Sequence, residues 1–80
     1  MTGNKASKLI IDECVKAQGK FRPFHSFHEG QSIIEEEFRE FQDAVFGNNP
    51  ITNNNRENVK KECIHFGAMA LRFLIDLIDE

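Results

Sequence analysis

The stretch Glu62-Cys-Ile-His-Phe-Gly-Ala-Met-Ala-Leu-Arg-Phe-Leu-Ile-Asp-Leu-Ile78 decides how the chain is read. At 100° per residue, Ile64, Ala68, Leu71, Ile75 and Ile78 form one apolar stripe of a helix. Phe66, Ala70, Phe73 and Leu77 form a second stripe on nearly the opposite side. A helix that is apolar on two sides has to be covered on two sides. Only one polar stripe remains between them, carrying Lys61, Glu62, His65, Arg72, Asp76 and Asp79. Upstream, Asn54 or Asn55 suits the N-cap, and the helix is expected to run to about Asp79.

Two further helices are expected ahead of it. One runs from about Ser26, where Ser26-Phe27-His28-Glu29 has the spacing of a capping box. Ile34, Phe38, Phe41 and Val45 follow at steps of 4, 3 and 4, an apolar seam on one side. Gly47 is expected to stop this helix as a left-handed cap. Pro50 and the asparagines of 48–55 then make a turn-rich loop. The other helix runs from about Ser7 to Gln18, with Leu9, Ile10, Cys14 and Ala17 on its apolar side, Ile11 and Val15 widening the stripe, and Gly19 as the stop. Between the two, Lys20–Phe27 holds Pro23 and reads as an ordered connector that tucks the rings of Phe21, Phe24 and Phe27 under the bundle, with stacking on a base as the other use for them.

The bulk properties narrow the class. Eighty residues, 1–80, make one domain. A chain this short buries a limited share of its surface and usually needs a staple. Cys14 and Cys63, in no CxxC or CxxH pair, give no structural zinc site and read best as small buried apolar residues. The staple is then a second subunit covering the third helix. The expectation is an all-α, three-helix subunit that completes a helical bundle with another copy of itself. Net charge is −3 with no basic run, so a nucleic acid polymer is not an expected partner. No stretch approaches the ~20 apolar residues of a membrane span, and no secretion signal is seen, so the cytoplasm is the default location.

The chemistry-bearing residues fall in two short stretches. Glu37 and Glu40 project together on the second helix, beside the apolar seam, where a carboxylate is partly desolvated. Glu62 and His65 repeat the i, i+3 spacing on the third. If these helices pack antiparallel, the pairs face each other, and the repulsion among their carboxylates invites Mg²⁺ or Mn²⁺. Such a cation orients a phosphate chain and activates water. Spacing alone leaves a second reading open, a solvated acidic face in which Glu35 and Glu36 pair with Arg39. For anionic substrate, Lys61 and Arg72 on the polar stripe are the expected cationic contacts, unless they pair with Asp76 or Glu57. No glycine-rich phosphate loop, serine triad or Cys/His dyad is present.

Glu36-Glu37-Phe38-Arg39-Glu40 and Glu62-Cys63-Ile64-His65, with Ala68–Phe73 after them, resemble the MazG-like all-α nucleoside triphosphate pyrophosphohydrolases. The first stretch matches the family's EExxE, and the second its ExxD except that His65 stands for Asp. The likeness covers roughly residues 26–76 and is nearest to small members of the phage and prophage type. It implies a homodimer or dimer of dimers and hydrolysis of a (deoxy)nucleoside triphosphate to the monophosphate and pyrophosphate. It also implies that Glu37, Glu40 and Glu62 hold Mg²⁺. His65 departs from the pattern: imidazole suits Mn²⁺ better than Mg²⁺, and His65 is open to reading as ligand, as base or as the mark of an inactive oligomeric interaction protein of the same fold.

Overall fold

The computed structural model describes residues 1–47 and 53–80. These form three α-helices, α1 (Gly3–Lys20), α2 (Phe27–Phe46) and α3 (Asn53–Leu77), with no strand among the described residues. The chain is an all-α, three-helix fold, as its periodicity predicts. Of the loop expected at 47–55, residues 48–52 lie outside the described residues and residues 53–55 belong to α3.

Helix ends follow local chemistry, with several departures from expectation. The Thr2 hydroxyl caps α1 by accepting from the Lys5 N–H at 3.2 Å, four residues or more ahead of the expected start. Gly19 continues the helix, which closes at Phe21, where the N–H bonds to the Ala17 carbonyl. Ser26 caps α2 as predicted, its Oγ accepting from the Glu29 N–H at 3.1 Å. The reciprocal half of the box goes elsewhere, because Glu29 accepts from the His25 N–H (2.9 Å) and from the Arg22 guanidinium (2.8 and 3.1 Å). Gly47 ends α2 in the right-handed region (φ −72°, ψ −15°), so the expected left-handed cap is not used. α3 begins at Asn53, a residue or two before the expected cap, and ends at Leu77.

α3 is the central element, with α1 and α2 each packed along it and not on one another. α2 runs antiparallel to α3. Near its start Gly30 lies under Phe73 and Leu77, and farther along Phe38 and Phe41 meet the Phe66 ring at 5.6 and 6.2 Å between centroids. The approach at Gly30 is close enough that a Cβ there would stand 2.6 Å from Phe73 Cδ2. α1 lays Ile10 over Gly67 and buries Cys14 and Ala17 against Ala68 and Met69.

The buried faces differ from the expected ones in one consequential way. On α2 the fully buried residues are Gly30 and Ala44, with Glu37 half-buried between them, one heptad from each. Phe38, expected in the apolar seam, is 42% exposed. On α3 the polar stripe faces inward: Glu62, His65 and Asp76 are half-buried and Arg72 is 4% exposed. Leu74, Ile75 and Ile78 point out at 59%, 53% and 40% exposure. Small residues let backbones approach closely, and that pulls the polar positions beside them into the interior.

The connector is ordered by Arg72. Its guanidinium lies 4.3 Å over the Phe24 ring, donates to the Arg22 carbonyl at 3.0 Å and stands 3.8 Å from Asp76. Asp76 in turn accepts from the Phe24 N–H at 3.0 Å. Cys14 is buried, as expected, but Cys63 is exposed, and both are free thiols. Burial pushes the Cys14 thiol pKa up. No described helix is long and apolar enough to cross a membrane.

Candidate metal centre

Three of the expected site residues converge. Glu37 from α2 and Glu62 and His65 from α3 each offer a ligand atom within 4.8 Å of the others. The antiparallel pairing brings them together, and the Gly30–Glu37–Ala44 register turns Glu37 inward. Glu62 follows because the polar stripe of α3 faces the gap between α1 and α2.

The electrostatics of this cluster are unrelieved. Glu37 Oε2 and Glu62 Oε2 are buried without a hydrogen-bond partner. Burial raises the Glu37 pKa first, the neighbouring Glu40 carboxylate adds to it, and Glu62 contributes less. His65 works in the opposite direction. Its Nδ1 lies 3.7 Å from Glu62 Oε2. A buried carboxylate oxygen with no donor is costly, and a divalent cation among these three side chains would satisfy both orphaned oxygens at once. Two carboxylates and one imidazole fit a first-row divalent cation.

The remaining expected residues are used differently. Glu40 touches Glu37 but is exposed and outside the converging trio. Lys61 is exposed, 3.6 Å from Glu62 Oε1, and does not reach the groove described below. Arg72 borders that groove, yet its guanidinium is taken up by Phe24, Arg22 and Asp76. Arg39 pairs with Glu35 at 2.6 Å on the outer face of α2, as the solvated reading of that stretch requires.

A groove of about 660 Å³ opens between α1 and α2, with α3 as its floor and Glu37 and His65 on its wall. Lys16 and Lys20 of α1 and Arg22 of the connector bring positive charge to it. Phe21, 63% exposed, offers a ring face, and Ile33 and Met69 offer apolar surface. Sequence reasoning missed the part of α1 in this site, Glu13 and Lys16. Glu13 Oε1 lies 3.1 Å from His65 Nε2, and Lys16 Nζ lies 3.9 Å from Glu13 Oε2. The one available signal was their position: Glu13 and Lys16 flank the apolar pair Cys14 and Ala17, so they border a buried face.

Comparison of the chain with protein-family models, with curated proteins and with solved structures returns no match. The functional reading therefore rests on the residues and geometry of this chain.

Proposed function

We propose that the protein is a divalent-cation-dependent hydrolase that cleaves nucleoside or deoxynucleoside triphosphates to the monophosphate and pyrophosphate. The observation that carries this reading is the convergence of Glu37, Glu62 and His65, with two orphaned carboxylate oxygens, at a place where Glu37 and His65 border a groove bearing cationic and aromatic groups. The resemblance of residues 26–76 to the MazG-like pyrophosphohydrolases points to the same chemistry.

Glu37, Glu62 and His65 would hold the cation, either Mn²⁺ or Mg²⁺. The cation, when bound, supplies charge neutralisation on the phosphate oxygens and a lowered pKa for attacking water. Lys16 and Lys20 bind the phosphate chain, in place of the Lys61 and Arg72 expected from the stripe. The exposed ring of Phe21 stacks on the base. Water forms a bond to the α-phosphorus, and the bond from that phosphorus to the bridging oxygen of pyrophosphate breaks. Glu40, against Glu37 and open to solvent, accepts the proton that water loses. The reading includes self-association through the apolar residues of α3 that stand exposed, Leu74, Ile75 and Ile78, and work in the cytoplasm, where such substrates are found.

The test is a pyrophosphate-release screen over common nucleoside and deoxynucleoside triphosphates with Mg²⁺ and Mn²⁺. At least one substrate is expected to give release about tenfold or more above that of the Glu62→Ala variant. Uniform release at the variant's level would overturn the enzymatic reading. It would leave the alternative, a catalytically inactive oligomeric helical interaction protein, which the exposed position of Glu40 favours.

A further inference from the structure

His65 is the one member of the cluster gripped from α1. Its Nε2 is 3.1 Å from Glu13 Oε1 and its Nδ1 is 3.7 Å from Glu62 Oε2. Neither imidazole nor carboxylate is freely solvated there, since His65 is 32% exposed and Glu13 is 26% exposed. An ionised carboxylate only accepts hydrogen bonds, so a Glu13 oxygen against Nε2 favours the tautomer with hydrogen on that nitrogen. In that tautomer the Nδ1 lone pair lies on the side of Glu62. Glu13 and His65 thus form a link from α1 that ends at the cluster.

Histidines that ligate metals commonly donate their other N–H to a carboxylate, which fixes the tautomer, aims the ring and raises its basicity. We propose that Glu13 is a positioning residue of the cation site: it holds His65 with hydrogen on Nε2 and presents Nδ1 as the nitrogen ligand, so that the site selects a nitrogen-accepting first-row cation such as Mn²⁺ over Mg²⁺. This rests on the reading of Glu37, Glu62 and His65 as a cation site. Selection follows because Mg²⁺ demands oxygen donors and gains little from an imidazole, whereas Mn²⁺ accepts one.

Two measurements on the full chain decide it. Long-range nitrogen–proton NMR of the metal-free wild type should show His65 with hydrogen on Nε2. Calorimetric titration with Mn²⁺ and with Mg²⁺ should show tighter Mn²⁺ binding by the wild type. Glu13→Ala should weaken Mn²⁺ binding about 10- to 100-fold and leave Mg²⁺ binding nearly unchanged. Glu13→Gln, whose side-chain carbonyl still accepts from Nε2, should recover most of the loss. Hydrogen on Nδ1 in the wild type, or Glu13→Ala with wild-type Mn²⁺ affinity, would overturn the role of Glu13 while leaving the cation site standing. A wild type that binds neither cation would overturn the site itself, and the role of Glu13 with it. The NMR result needs no variant, so a Glu13→Ala chain that fails to fold does not protect the proposal.

Discussion

Replacing Glu37 with Gln removes a negative charge from a half-buried position beside Glu40 and Glu62. Two unit charges 4.8 Å apart, the widest spacing within the trio, repel by about 3.5 kcal/mol at an effective dielectric of about 20 and by about 0.9 kcal/mol in bulk water. Solvent reaches Glu37 and His65 offsets part of the repulsion, so the lower end applies and Glu37→Gln should stabilise the metal-free protein by about 1 kcal/mol. For a domain of this size that is a rise in melting temperature of about 4–8 °C. A site built for a cation pays in stability when empty, and the variant exposes that cost. The pH dependence follows from the raised Glu37 pKa. A carboxyl with a raised folded-state pKa favours folding while protonated, and this contribution fades as pH rises through that pKa. The advantage of Glu37→Gln is therefore greatest at neutral pH and shrinks in acid. Saturating Mn²⁺ should reverse the order. Cation at about a hundredfold its dissociation constant stabilises the wild type by about 2.7 kcal/mol, and the variant should gain little. Differential scanning calorimetry with chelator and then with Mn²⁺ reads both effects. A Glu37→Gln chain that melts below wild type in chelator would refute the reasoning, because Glu37 would then be satisfied within the folded chain.

Three other outcomes follow from the packing and the caps. Gly30→Ala puts a methyl 2.6 Å from the Phe73 ring and should cost about 1–3 kcal/mol, whereas Gly67→Ala meets the Ile10 side chain at 3.0, 3.2 and 3.5 Å and should cost less, its helix-propensity gain offsetting the contact; equal urea midpoints would contradict the close approach of α2 to α3. Arg72→Met leaves the buried Asp76 without its cation and should cost about 3–5 kcal/mol, measured by the same unfolding, and a loss below about 1 kcal/mol would show that Arg72 does not order the connector. The Arg22 guanidinium and the His25 N–H hold the Glu29 pKa down to about 2. Its contribution is present above the unfolded value of 4.5 and fades as pH falls toward about 2, so Glu29→Gln should flatten the stability profile in that window. An unchanged profile would contradict the pairing.

Helix number and type were legible because period-3.6 patterning survives in every segment, and Ser26 declared the start of α2 through its spacing to Glu29. The facing of the helices was less legible. The seam of Ile34, Phe38, Phe41 and Val45 was expected to set the buried face of α2, but full burial there falls on Gly30 and Ala44, which admit α3 closely and carry Glu37 inward between them. On the polar stripe of α3, Arg72 was expected as a substrate contact, whereas Arg72 and Asp76 hold the connector from within. Glu37, Glu62 and His65 could be paired from helix spacing once an antiparallel arrangement was assumed. Glu13 could not, because its role depends on where α1 lies along α3, which spacing within either helix leaves unstated.

The claim on which the functional account depends is that Glu37, Glu62 and His65 share one cation. Crystals grown with Mn²⁺ and measured for anomalous scattering test it directly. The account predicts a peak among the three side chains, within bonding distance of His65 Nδ1 and of one oxygen from each carboxylate. No peak there at saturating Mn²⁺, with Glu37 and Glu62 still side by side, would contradict it.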